Sequence, residues 1–159
     1  MTRFVLLVGY SDSGKTTLMT SLIRIIKNRG YKVAAVKHAA HKYSMDRPGT
    51  DSWQYAEAGA DQTIVVGPES YNITVRTNHP PCLAEILEQV KDVDIALVEG
   101  FKNEPGPKIE IYRFGHSPGR LPANDDIIAV VSDVQLEGDL KQFRFSQHED
   151  LADFILNQP

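Results

Sequence analysis

Short apolar runs recur along this chain, and stretches of helical periodicity separate them. The apolar runs are 4–8, 32–37, 94–98 and 127–131. Helical segments are predicted at 17–29, 53–58, 83–90 and 147–157. Strands that are apolar on both faces are typical of parallel sheets covered by helices on both sides. The pattern therefore predicts an α/β fold with a mostly parallel sheet.

Three segments depart from this pattern. Residues 62–66 and 71–76 flank a stretch of turn-forming residues and predict an inserted β-hairpin. Residues 108–112 alternate polar and apolar side chains, as an edge or half-exposed strand does. Ser146 and Glu149 have the spacing of a capping box and predict the start of the last helix.

Composition limits the class of protein. A length of 159 residues predicts a single domain, residues 1–159, and 42% apolar with 24% charged residues is typical of a soluble globular chain. A net charge of −4 argues against a nucleic-acid partner, and no apolar run approaches the ~18 residues of a membrane span. One cysteine excludes an internal disulfide, and the first apolar run is too short to predict a signal peptide. These features predict a cytoplasmic protein.

Residues 9–16 read Gly-Tyr-Ser-Asp-Ser-Gly-Lys-Thr, a complete phosphate-binding motif that we call the P-loop motif. It lies between the first apolar run and the first helix, the context that the motif requires. Its glycines allow backbone N–H groups to approach phosphate oxygens at a helix N-terminus. Lys15 is placed to reach the β- and γ-phosphates, and the Thr16 hydroxyl to bind Mg²⁺. The predicted nucleotide-binding residues here are Gly9, Ser11, Asp12, Ser13, Gly14, Lys15, Thr16 and Thr17.

A magnesium site beside a P-loop needs a second acid. Asp94 begins the run 94–98 and Glu99 follows its end. Because ligands bind at the carboxyl ends of parallel strands, Glu99 is the better candidate, directly or through water. Thr16 and Glu99 are therefore predicted at the metal, and Asp94 is predicted to cap its strand.

A long polar loop, 38–52, follows the second strand. Loops of this length in compact domains are usually functional or disordered. Lys37 is placed to touch phosphate, and Asp46 or Asp51 to orient Mg²⁺-bound water, so Asp51 is a candidate metal-site residue. His38 and His41 have the spacing of a metal pair, but the sequence places no third ligand. The alternative is a solvated loop, and the sequence leaves both interpretations open.

Asp133 follows the run 127–131, where a GTPase usually has the acid that reads guanine. A carboxylate that accepts hydrogen bonds from guanine N1 and N2 selects GTP over ATP, since adenine lacks those donors. No Asn-Lys-x-Asp sequence is present, and the alternative is that Asp133 caps a turn.

Six segments in order give the chain a family resemblance. They are 9–17, 36–38 (Val-Lys-His), 51–52 (Asp-Ser), 58–60 (Ala-Gly-Ala), 97–102 (Leu-Val-Glu-Gly-Phe-Lys) and 107–110 (Pro-Lys-Ile-Glu). From residue 4 to about residue 155, the chain resembles the MobB family of molybdopterin-guanine dinucleotide biosynthesis adaptor proteins. Carried over by motif, Gly14, Lys15, Thr16 and Thr17 bind nucleotide and Glu99 serves the metal. Lys102 and Lys108 lie in family-like segments without an assigned role.

The resemblance implies a P-loop NTPase-like three-layer fold, binding of GTP with Mg²⁺, and at most slow GTP hydrolysis. It also implies a homodimer. The implied partner is the molybdenum cofactor guanylyltransferase, which joins GMP to molybdopterin. Apo-molybdoenzymes and the insertion machinery are further implied partners.

Two enzyme classes remain as alternatives. Leu-Val-Glu-Gly also resembles dethiobiotin synthetase, an ATP-dependent ligase in which that Glu binds Mg²⁺. Here Phe101 and Lys102 replace the small residues expected of that enzyme, and the chain is short for it. A small-metabolite kinase acting on a pterin or nucleotide is the other alternative. Nucleotide preference and turnover distinguish all three.

Overall fold

The computed structural model describes residues 2–39, 41 and 43–158, so Lys42 of the polar loop lies outside the described residues. The chain forms two compact units. The first unit joins the residues up to His38 with those from Leu83 onward, and the second contains the residues between them. The single domain predicted for 1–159 stays a prediction. Among the described helices, none has both the length and the apolar character needed to cross a membrane.

The first unit alternates strands and helices, as the apolar pattern predicts. Its strands are β1 Arg3–Val8, β2 Val33–Lys37, β5 Ile95–Glu99, β6 Lys108–Tyr112, β7 Ile127–Ser132 and β8 Lys141–Phe143. Its helices are α1 Lys15–Asn28, α3 Leu83–Leu87 and α4 His148–Leu156. The second unit contains α2 Asp51–Glu57, β3 Gln62–Val66 and β4 Tyr71–Val75.

The first unit is built on a six-stranded sheet with the order β2-β5-β1-β6-β7-β8. Every neighbouring pair in it is parallel. This confirms the predicted mostly parallel α/β sheet. Because β1 lies inside the sheet, the residues that follow it meet the carboxyl ends of β5 on one side and β6 on the other.

Both faces of the sheet are buried, which explains why its strands lack polar alternation. On β1, Val5 and Leu7 pack into a cluster that contains residues of α1 and α4. Leu6 and Val8 point to the other face, into a cluster that includes Leu83 of α3. The first unit therefore has helices on both sides of one sheet, in three layers.

Strand β6 is internal, and the prediction of an edge or half-exposed strand is wrong. Its polar residues Lys108 and Glu110 are only 2% and 1% exposed. Lys108 Nζ donates to Asp126 Oδ2 at 2.8 Å, and this hydrogen bond lowers the pKa of the Asp126 carboxyl. Glu110 accepts from Arg120 Nε and from the Leu121 amide, each at 2.7 Å. The charges are buried because each has a partner.

The capping box predicted for the last helix is also wrong. Gln147 is the N-cap of α4, and no side chain caps this end. Glu149 Oε2 instead pairs with Arg29 Nη2 at 2.7 Å, which ties the end of α1 to α4. The Glu149 carboxylate thus binds Arg29, 120 residues away in sequence, and not the helix backbone as the local pattern predicts.

The second unit confirms the inserted hairpin. Strands β3 and β4 are antiparallel, with Ile64 opposite Ile73. Helix α2 begins after Thr50, whose side chain accepts from the Trp53 amide. Six large apolar side chains of the hairpin are exposed, namely Ile64, Val65, Val66, Tyr71, Ile73 and Val75.

Candidate functional site

The P-loop motif connects β1 to α1 in a conformation that depends on its glycines. Gly14 is the N-cap of α1 and has a φ of 96°, a left-handed conformation that strains other residues. A Cβ on Gly9 would collide with the carbonyl oxygen of Ile111 on the neighbouring strand β6. The loop is thus folded tightly against the carboxyl end of the sheet.

Lys15 makes hydrogen bonds within its own loop. Its Nζ donates to the carbonyl oxygens of Gly9 at 3.0 Å and Tyr10 at 2.5 Å. Burial lowers the pKa of Lys15 below its ordinary value of 10.5, although the charges of Glu99 and Asp12 oppose this effect. The ammonium therefore lies at the loop with backbone carbonyls as its partners.

Glu99, the last residue of β5, contacts the start of α1 and the end of β2. Its Oε2 accepts from Thr16 Oγ1 at 3.4 Å, and its Oε1 lies 3.7 Å from Lys37 Nζ. The register explains this arrangement, because Leu7 and Lys37 are both directly opposite Glu99 in the sheet. Asp94, at the other end of the same strand, accepts from the Lys32 amide at 2.6 Å. The structure thus brings Thr16, Glu99 and Lys37 together and leaves Asp94 apart.

These residues fit a magnesium ion held together with phosphates. Mg²⁺ in nucleotide sites is usually held by one or two protein oxygens, with phosphates and waters completing its coordination. The Thr16 hydroxyl and the Glu99 carboxylate can supply oxygen ligands of this kind. Within the described part of the chain, no group of three or more His, Cys, Asp or Glu side chains is arranged to hold a metal ion. Protein side chains alone therefore do not form the site, and the metal role of Thr16 and Glu99 stays a prediction.

The remaining loop residues differ in exposure. Ser11, Asp12, Thr16 and Thr17 are exposed, so the negative charge of Asp12 lies at the surface. Ser13 is fully buried, and its hydroxyl has no hydrogen-bond partner among the described residues. An unpaired buried hydroxyl is costly.

Asp133 lies at the carboxyl end of β7. Its Oδ1 accepts a hydrogen bond from the Phe114 amide at 2.9 Å, which ties the segment after β6 to the end of β7. This contact agrees with the turn-capping alternative for one carboxylate oxygen. Base reading by Asp133 stays a prediction.

The acidic residues of the polar loop belong to the second unit. Asp51 is the first residue of α2. Asp46 accepts from Thr50 Oγ1 at 2.8 Å and from the Arg47 amide at 2.9 Å. The predicted metal or phosphate roles of Asp51 and Asp46 stay predictions.

The two histidines differ in their setting. His38 belongs to the first unit and stacks on Phe101, with ring centroids 4.4 Å apart. His41 belongs to the second unit. A metal pair is therefore not indicated by the described contacts of His38.

Two cations near the P-loop motif had no predicted role. Lys102 Nζ lies 5.9 Å from the centroid of the Tyr10 ring. Arg113, the residue after β6, stacks on Phe145 with its Cζ 4.8 Å from the ring centroid. Arg113 was not predicted from the sequence; the rule that ligands bind at the carboxyl ends of parallel strands is the signal that could have found it.

A separate cleft lies at the amino ends of the strands, away from the P-loop motif. Its volume is about 830 Å³, and Arg3, Phe4 and Asp94, near the amino ends of β1 and β5, help to line it. It is lined by none of the P-loop residues.

Comparison with known proteins points to one family. The family model described as molybdopterin guanine dinucleotide synthesis protein B, or MobB, matches residues 4–133. The molybdopterin-guanine dinucleotide biosynthesis adapter protein of Haemophilus influenzae is 36% identical over 153 residues, which cover 95% of this chain and 86% of that protein. The Escherichia coli adapter protein is 37% identical over 155 residues, which cover 93% of this chain and 88% of its own length.

Solved structures agree with the sequence relatives. The crystal structure of a molybdopterin-guanine biosynthesis protein B has a TM-score of 0.76 at 31% identity, with 96% of this chain and 97% of that chain covered. Bacillus subtilis MobB has a TM-score of 0.78 at 27% identity, with 97% and 96% covered. These structures confirm the P-loop NTPase-like fold. The relatives named here give no support to the dethiobiotin synthetase alternative. The chain belongs to the MobB family.

Proposed function

We propose that this chain is a GTP-binding adaptor in molybdopterin-guanine dinucleotide biosynthesis. In this proposal it holds GTP with Mg²⁺ in the cytoplasm and assists the guanylyltransferase that attaches GMP to molybdopterin. The observation that supports it is the cluster of Lys15, Thr16, Glu99 and Lys37 at the carboxyl ends of three adjacent strands. The names of the relatives support the pathway.

Lys15, Thr16 and Glu99 of this cluster each have a proposed task. The Lys15 ammonium exchanges its loop carbonyls for β- and γ-phosphate oxygens of GTP. Backbone N–H groups at the start of α1 bind oxygens of the same phosphates. Thr16 and Glu99 hold Mg²⁺, which neutralises phosphate charge when bound. Glu99 already contacts Thr16 and Lys37, so we assign it to the metal and not to general base catalysis. We therefore expect GTP hydrolysis to be slow.

Calorimetric titration with GTP, ATP, GDP and ADP, with and without purified guanylyltransferase, tests this proposal. We expect Mg²⁺-dependent binding that favours GTP, and turnover below about 0.01 s⁻¹, far under the ~1 s⁻¹ of slow ordinary enzymes. GTP is expected to strengthen the complex with the guanylyltransferase. A preference for ATP together with rapid turnover would instead support the ligase or kinase alternative.

We predict that Glu99→Gln weakens Mg²⁺ dependence more than nucleotide binding itself. The glutamine keeps the size and one acceptor oxygen but loses the negative charge that the metal requires. GTP affinity measured across a Mg²⁺ series checks this, with Asp94→Asn as the control at the other end of the strand. If Glu99→Gln lowers GTP affinity equally with and without Mg²⁺, Glu99 has a structural role and not a metal role.

For Asp133 we predict that Asp133→Asn lowers the ratio of GTP to ATP affinity about tenfold, the effect of losing one charge-assisted hydrogen bond. Asparagine still offers an oxygen to the Phe114 amide, so the turn is preserved while the charge is removed. The two affinities are measured for both proteins. An unaltered ratio would leave Asp133 as a turn cap.

We further propose that the protein is a homodimer. The exposed apolar side chains of the hairpin, among them Val66 at 76% and Tyr71 at 69%, are a surface that a second copy would cover. A two-stranded hairpin is marginally stable alone, so an added partner would stabilise it. Sedimentation velocity over a range of concentrations measures the state, and a monomer throughout would contradict the proposal.

A further inference from the structure

Arg113 is a cation that lies against the P-loop motif. An ideal Cβ on Gly14 would be 3.6 Å from Arg113 Nη2 and 4.0 Å from its Cζ. The guanidinium therefore borders the residue that caps α1. The ion pairs found among the described residues involve Arg29, Lys37, Lys108 and Arg120, and none involves Arg113.

Phe145 fixes the position of this guanidinium. The Arg113 Cζ lies 4.8 Å from the centre of the Phe145 ring, a cation–π distance. The ring itself packs against the cluster that contains α1 and α4 residues, and its Cε1 would lie 3.4 Å from a Cβ on Gly14. The core thus orients the ring, and the ring orients the guanidinium beside the loop.

Lys15 is a second cation at this loop. Lys15 is occupied with two loop carbonyls. A polyanion at the loop would supply acceptors for Lys15 and for the five N–H donors of Arg113.

We propose that Arg113 is a nucleotide-binding residue that contacts the phosphate chain, and that Phe145 is its positioning residue. This inference rests on the proposed nucleotide binding. Lys37 and Glu99 approach the loop from the β2 and β5 side, whereas Arg113 approaches from the β6 side. The phosphate chain is therefore held from both flanks of β1.

The test measures affinities for GTP and for inorganic tripolyphosphate by calorimetry. Arg113→Ala is expected to weaken both about tenfold to a hundredfold, because a charge-assisted contact is lost. Arg113→Gln, which keeps most of the side-chain bulk, is expected to weaken both as well. Arg144→Ala is the matched control, since it removes the same charge from an exposed neighbour of Phe145 and is expected to change little.

A double-mutant cycle tests the positioning role. Phe145→Leu is expected to weaken binding less than Arg113→Ala does, and to add nothing further in the Arg113→Ala background. Melting temperatures identify any variant with a general folding defect. Such a defect would weaken binding whether or not Arg113 is present, so it would not produce the expected dependence on Arg113. Additive effects would overturn the positioning role.

Other outcomes separate the two proposals. If Arg113→Ala binds GTP and tripolyphosphate as tightly as Arg144→Ala does, the proposed contact between Arg113 and phosphate is wrong. It is also wrong if Arg113→Ala weakens the binding of GTP but not of tripolyphosphate. If Lys15→Ala loses GTP while Arg113→Ala does not, only this inference fails. Unchanged affinity in Lys15→Ala would overturn both proposals, since both place the phosphates at the same loop.

Discussion

Replacing Lys15 with alanine is expected to lower the affinity for GTP at least a hundredfold while the fold stays intact. The variant removes the ammonium that lies at the loop and can reach the phosphates. Losing two charge-assisted hydrogen bonds of about 1.5–3 kcal/mol each accounts for a change of that size. Isothermal calorimetry measures the affinity, and circular dichroism with thermal melting measures the fold.

The control for this variant is Lys27→Ala. Lys27 lies in the last turn of α1, at the end of the helix far from the P-loop motif. Lys27→Ala removes the same charge as Lys15→Ala without altering the loop, so GTP affinity is expected to be nearly unchanged. Unaltered GTP affinity in Lys15→Ala itself would mean that residues 9–16 do not bind the nucleotide.

Replacing Arg120 with alanine is expected to lower the free energy of unfolding by about 3 kcal/mol. Glu110 is 1% exposed and is paired with Arg120 at 2.7 Å. Without the guanidinium, the Leu121 amide is the one hydrogen-bond partner that the described residues leave to this buried carboxylate. Urea denaturation monitored by circular dichroism gives the unfolding free energies.

A second variant separates charge from packing in that pair. Adding Glu110→Gln to Arg120→Ala removes the unpaired charge and is expected to recover part of the lost stability. Arg144→Ala, which alters an exposed arginine, is the control and is expected to be nearly neutral. Equal stability of Arg120→Ala and wild type would show that water reaches Glu110 in the absence of its partner.

The elements that depend on local patterns were predictable from the sequence. β1 is an apolar run, the P-loop motif has its full set of residues, and the hairpin has turn formers between two strands. Even the placement of Glu99 followed from one rule, that parallel strands present their carboxyl ends at the same edge. The observed contact between Glu99 and Thr16 agrees with that rule.

The features that depend on distant partners were not predictable. The alternation in β6 suggested exposure, because the pattern of Lys108 and Glu110 does not reveal Asp126 and Arg120 as partners. The same limit explains Glu149, whose partner Arg29 belongs to another helix. Arg113 was missed because no sequence motif links it to Gly14; only the sheet order brings them together.

If the chain binds nucleotide as proposed, the carbonyl contacts of Lys15 make binding an exchange of hydrogen-bond partners that is coupled to protonation. The lysine leaves the oxygens of Gly9 and Tyr10 for the phosphate chain, whose negative charge raises the lowered pKa of its ammonium. Affinity should therefore be constant below the pKa of the free protein and fall as pH rises above it, until the pKa of the complex is reached. Calorimetry in buffers of different ionisation enthalpy should detect proton uptake in this window, and an equal heat in all buffers would contradict it. In the proposed function, Lys15 thus keeps the carbonyl oxygens of its own loop as partners until phosphate oxygens replace them, and this exchange is linked to protonation.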